Sequence, residues 1–139
     1  MKALQDTRVV LASVAQAAAT TPRTALLDAL NASSAKILVA TSANTNSSAN
    51  CTIAITTGSN ATSTTGYVSI GSSAAAVTAE GVRVVDIDMR GKDRYLYVTV
   101  TPGTAGTTDQ VAVGSIVGIF ETGTRPNNST TQLGNAVFA

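Results

Sequence analysis

Three aspartates and one basic loop hold most of the chemistry this chain could perform. Asp86 and Asp88 stand two residues apart in Val84-Val85-Asp86-Ile87-Asp88-Met89, with Asp93 close behind. On an extended strand that spacing puts Asp86 and Asp88 on one face, where with Asp93 they could ligate a hard cation or share acid and base roles. The same spacing also describes a solvent face opposite Val85, Ile87 and Met89, with Arg83, Arg90 and Lys92 nearby as counter-charges. We adopt this second reading and expect neither a metal nor a catalytic pair.

The rest of the inventory points the same way. The chain has no His and a single Cys, so it offers neither the base of a Ser or Cys triad nor a familiar zinc ligand set. Cys51 shares a strand face with Ile53 and Ile55 and reads as core. Gly103-Thr104-Ala105-Gly106 lacks the lysine and spacing of a phosphate loop. The expectation is a protein that is not an enzyme, with no catalytic residue and no cofactor.

Binding is the alternative to catalysis, and the segment Arg90-Gly91-Lys92-Asp93-Arg94-Tyr95-Leu96-Tyr97 concentrates the residues suited to it. It gathers scarce charge and two of the three tyrosines at the start of a strand. Tyr and Arg are the types that most often dominate interface energetics. With nine basic and eight acidic residues and a net charge of +1, the chain has no basic field for general nucleic-acid binding.

These residues need elements to hold them, and strand signals dominate. Val9–Val14, Lys36–Thr41, Cys51–Thr56, Gly66–Ile70, Gly81–Met89, Arg94–Thr101 and Val111–Phe120 read as strands separated by Ser, Thr, Asn and Gly-rich loops at 42–50 and 57–66. Thr24–Leu30 reads as the one short helix, with Leu26, Leu27 and Leu30 sharing a face. Adjacent Val84 and Val85 break the alternation of their strand, which predicts a bulge. Tyr95, Tyr97 and Thr99 face one way and Leu96, Val98 and Val100 the other, as in a central strand. In the last strand Val111, Val113, Val117 and Ile119 are expected on one face, with Gly114 and Gly118 thinning the other for a close neighbour.

Seven or eight short strands without βαβ alternation predict an all-β sandwich or barrel, a single domain over residues 1–139, with an N-terminal arm at 1–8 and a C-terminal arm at 126–139. The tail turns apolar at Ala136-Val137-Phe138, a docking element for another subunit or for the parent domain. Ala and Val supply much of the 44% hydrophobic content, so each buried side chain contributes modestly and assembly would add burial.

Residues 2–17 only faintly imitate a signal peptide, and no apolar run reaches the roughly 20 residues of a membrane span. A soluble chain made in a cytosol is expected. The Asn-X-Ser/Thr matches then indicate loops rather than glycans.

The stretch Ile87 to Val100, followed by a Pro/Gly/Thr turn and the strand Val111–Phe120, resembles the C-terminal half of capsid cement or decoration proteins of tailed double-stranded DNA bacteriophages. Gly91, Arg94 and Tyr95 match the loop that leads into an Arg-Tyr strand start in that family. The upstream strands Lys36–Thr41 and Cys51–Thr56 are similar in order, while Thr57-Gly58-Ser59-Asn60 departs from the family's acidic turn.

The resemblance implies a single jelly-roll-like β-sandwich and a virion protein, made in the host cytoplasm, that sits on the capsid surface. Its partners would be the major capsid protein and its own copies, as a dimer or a trimer, with no nucleic acid and no membrane. Arg90, Lys92, Arg94, Tyr95, Tyr97, Val137 and Phe138 are the interface residues expected under this reading. A tail or baseplate component and a carbohydrate-binding β-sandwich for host attachment are the alternatives.

Overall fold

In the computed structural model, residues 7–13, 21–41, 50–76, 81–102 and 113–122 are described. They form eight strands, β1 (Thr7–Ser13), β2 (Arg23–Asp28), β3 (Ala32–Thr41), β4 (Asn50–Gly58), β5 (Val68–Ala76), β6 (Gly81–Asp88), β7 (Tyr95–Pro102) and β8 (Val113–Thr122). Two four-stranded sheets result, in the orders β1-β8-β3-β6 and β2-β7-β4-β5. Every pairing is antiparallel.

The pairs β1/β8, β2/β7, β3/β6 and β4/β5 nest like one long hairpin, and the β3/β8 and β4/β7 pairs roll that hairpin into two layers. This is the jelly-roll arrangement, and the all-β sandwich expected from the sequence stands. Its core is aliphatic around one aromatic ring, Phe120. Leu27, Ile37, Val39, Cys51, Leu96, Val98, Val100, Ile116 and Phe120 are fully buried between the layers.

Four local expectations change. Thr24–Leu30 is not helical, because Ala25, Leu27 and Ala29 also satisfy a period of two, and pairing with β7 places them in the core while Thr24 and Leu26 face out. β6 carries no bulge; its register with β3 runs unbroken from Asp88 to Gly81. Alternation there is kept by turning Arg83 inward with Val85 and Ile87, and leaving Val82 and Val84 exposed.

The core face of β8 is the glycine face. Ile116, Gly118 and Phe120 point inward and Val117 and Ile119 outward, while a register shift near Val113 brings that residue inward too. Gly118 is required by close approach, since a Cβ there would lie 2.9 Å from the Phe120 ring and 3.1 Å from Leu27. Finally, the N-terminal arm cannot include Thr7 and Arg8, which belong to β1.

Two corners carry the chain between the sheets. At Ala29–Ala32 the Ala32 amide donates to the Ala29 carbonyl at 2.9 Å, with Asn31 at φ 62°. At Met89–Lys92 the Lys92 amide donates to the Met89 carbonyl at 3.0 Å, with Gly91 at φ 72°. Each places a residue that tolerates positive φ at the third turn position.

Candidate interaction surface

The Gly91 corner divides the predicted interface. Before it, Arg90 belongs to the end of the β1-β8-β3-β6 sheet, where its guanidinium meets both carboxylate oxygens of Asp88, at 3.0 Å from Nε and 2.6 Å from Nη2. That contact, with the Arg90 amide on Oδ1, holds Asp88 down to about 2. Asp86 pairs with Lys36 across the β3/β6 ladder.

Together with Ser33, Ser34 and Glu121 these groups line a broad polar groove of about 710 Å³. Asp86 and Asp88 thus lie exposed on the solvent face, opposite Val85, Ile87 and Met89. Among the described residues no three His, Cys, Asp or Glu side chains converge as metal ligands. Lys92 is exposed in the corner itself.

Beyond the corner, Arg94, Tyr95 and Tyr97 come together on the other sheet. β7 alternates strictly, Leu96, Val98, Val100 and Pro102 buried and Tyr95, Tyr97, Thr99 and Thr101 half-buried on the outer face. Arg94 forms a two-pronged pair with Asp28, Nε to Oδ1 at 2.9 Å and Nη2 to Oδ2 at 2.7 Å, and its guanidinium carbon stands 5.0 Å from the Tyr95 ring centre. The Arg94 hydrogen bond draws the Asp28 carboxyl below its ordinary value, and Asp28 in turn raises Arg94. A fork so satisfied orients Tyr95 from one side.

Tyr67 joins this surface, and the sequence reading had left it out. Gly58 lies opposite Tyr95 in the β4/β7 ladder, and a Cβ on Gly58 would fall 2.1 Å from the Tyr67 ring. The Tyr67 ring therefore covers Gly58, next to Tyr95, and its hydroxyl donates to the Asn60 carbonyl. Burial raises the Tyr67 phenol above its ordinary value, with proximity to Tyr95 and Asp93 adding to the shift.

Leu26, exposed and opposite Tyr97, extends the patch onto β2. Gly58 reads in the sequence as part of the loop at 57–66, whereas it closes β4 and takes the ring of Tyr67. All three tyrosines of the chain thus share one outer face.

Arg8 was also missed. It points inward from β1, only 4% exposed, donates through Nη2 to the Asp28 carbonyl and lies 4.8 Å over the Phe120 ring. It ties the two sheets together directly behind the Arg94–Asp28 pair. Cys51 is wholly buried, and burial pushes its thiol up, as befits a core residue. Val137 and Phe138 lie outside the described residues.

No protein-family model matches the chain, and no curated protein sequence matches it. Among solved structures it is similar to a truncated AlyQ with CBM32 and alginate lyase domains, at 15% identity and a TM-score of 0.40 over 87% of this chain. The chain spans only 35% of that protein's length. It is also similar to the Tobacco streak virus coat protein (11% identity, TM-score 0.39, covering 96% of both chains) and to the Eiger TNF of S. frugiperda (5% identity, TM-score 0.39, covering 88% of this chain and 96% of that one). At these scores the likenesses carry no inference about what this chain binds.

Proposed function

We propose that this chain is a structural, non-enzymatic virion protein that binds the outer surface of a bacteriophage capsid and stabilises it by bridging subunits of the major capsid protein. The observation that carries the reading is the surface made by Tyr67, Tyr95, Tyr97 and Leu26, steadied by the Arg94–Asp28 fork on a strand at the centre of its sheet. Tyrosines held by a sheet lose little conformational freedom on binding and offer both apolar area and a hydroxyl. The sequence resemblance of the Ile87–Val100 stretch supports the same role, with Arg94, Tyr95 and Tyr97 as its contacts and Arg90 and Lys92 at the margin. Multiplied over many copies on a shell, a modest interface of this kind resists internal pressure.

Quantitative mass spectrometry of purified particles tests it, by counting copies of this chain per major capsid protein. A simple fraction of the shell count is the expected result. A few copies per particle would assign the chain to the tail or baseplate, and none would overturn the reading.

On shells prepared without the chain, Tyr97→Ala should weaken rebinding on the order of thirtyfold or more, as for a central aromatic contact. A second reading draws on the same tyrosines, since rings lying on a sheet face can stack on sugars. A specific glycan-array hit that Tyr97→Ala abolishes would favour it.

A further inference from the structure

The sheet facing away from the tyrosines carries an apolar belt that nothing so far uses. On its outer face, Leu11 of β1 stands opposite Val117 of β8, Val117 opposite Leu38 of β3, and Leu38 opposite Val84 of β6. One unbroken row of aliphatic side chains therefore crosses all four strands. Ala40 and Val82 pair on one flank of it, Val9 and Ile119 on the other. Leu11 is 57% exposed, Val82 57% and Val84 54%. Exposing branched aliphatics in a continuous row is costly, whereas scattered ones are ordinary.

We propose that this face is the contact between two copies of the chain, packed sheet against sheet about a two-fold axis. Eight apolar positions, on strands about 4.8 Å apart and in rows about 6.7 Å apart, give an apolar footprint of roughly 260 Å² before side-chain relief is counted. With Lys36 and Asp86 beside it and the row of Ser34, Asp88 and Glu121 beyond, the face spans roughly 500 Å² in projection, and side-chain relief brings it within reach of the ~800 Å² per partner of a standard interface, apolar at the centre and polar at the margin.

Charge permits a second copy as the occupant. The margin is Lys36 with Asp86, Arg90 with Asp88, and Glu121, whose carboxylate accepts from Ser34 at 3.0 Å. Both cations are already paired within the chain, so two such faces meet with one unbalanced carboxylate each and little repulsion. The row repeats, on the outer face, the Val, Leu and Ile chemistry that packs between the two sheets inside the sandwich.

The inference goes beyond capsid binding and specifies the self-association that the sequence resemblance implies. Its test uses purified chain without shells, so failure here leaves capsid binding standing. Sedimentation equilibrium of the full chain should give a dimer, and Leu11→Lys with Val84→Lys should raise its Kd on the order of a hundredfold while circular dichroism stays unchanged. A chain that is monomeric at ~100 μM, or a dimer that the double substitution leaves intact, would overturn the proposal. Should the lysine variant lose its fold, Val82→Cys is read instead, its thiol reacting with maleimide slowly above the dimer Kd and rapidly below it. Equal rates at both concentrations would overturn it.

Discussion

The two long sides of the sandwich solve the same problem differently. Along one side β1 and β2 approach each other, and Arg8 reaches from β1 over the Phe120 ring to the Asp28 carbonyl, with Arg94 closing on the Asp28 carboxylate. Along the other side β5 and β6 stand apart around a cleft of about 250 Å³ lined by Ile53, Ile55, Ile70, Val85 and Ile87. The closed side spends its charges on linking the sheets, and the open side leaves aliphatic surface only partly covered. Volume and charge should therefore be tightly constrained at the first and loosely at the second.

The largest break in this contrast is Phe120→Ala, which removes the fully buried ring that fills the space over Gly118 and lies under Arg8. It should cost about 3–5 kcal/mol in urea unfolding. Next comes a matched pair of additions. Gly118→Ala drives a methyl into the Phe120 ring and Leu27, and should cost about 1–3 kcal/mol. Val85→Leu adds a methylene toward the open cleft and should change stability by less than about 1 kcal/mol. Equal losses for the two would erase the distinction between the sides.

A smaller effect separates charge from packing on the closed side. Asp28→Asn leaves the backbone carbonyl for Arg8 but weakens the Arg94 fork, whose partners are 44% and 31% exposed, so the loss at neutral pH should be about 1 kcal/mol or less. Its signature is in acid. Arg94 lowers the folded value of Asp28, so the stability it adds is present above the ordinary carboxylate value and disappears as pH falls through the folded one.

Asp88 contributes in the same direction between 3.8 and about 2. Denaturation followed from pH 5 to pH 2 should show a shallower decline for Asp28→Asn than for the unaltered chain. An unchanged slope would remove Asp28 from the acid response.

Where the alternation was strong, the sequence was readable. Leu96, Val98 and Val100 against Tyr95, Tyr97 and Thr99, and the common face of Cys51, Ile53 and Ile55, appear as expected. Thr24–Leu30 was not readable because seven residues with leucines at 26, 27 and 30 fit either period, and only the ladder with β7 chooses. Val84 beside Val85 looked like a bulge on the assumption that both valines seek the core. The register instead exposes Val84 in the apolar belt.

Composition and local pattern by themselves determined an all-β chain with an aliphatic core, a buried thiol and a basic loop leading into a tyrosine strand. Those properties follow from side-chain chemistry and a period of two, which are local. Tertiary structure alone decided that Arg90 and Arg94 serve different sheets, that Tyr67 lies over Gly58 beside Tyr95, and that Arg8 is inside. It also decided that Leu11, Val117, Leu38 and Val84 line up as one row. Each depends on which strands become neighbours and in what register, and pairings such as β1 with β8 join residues more than a hundred positions apart.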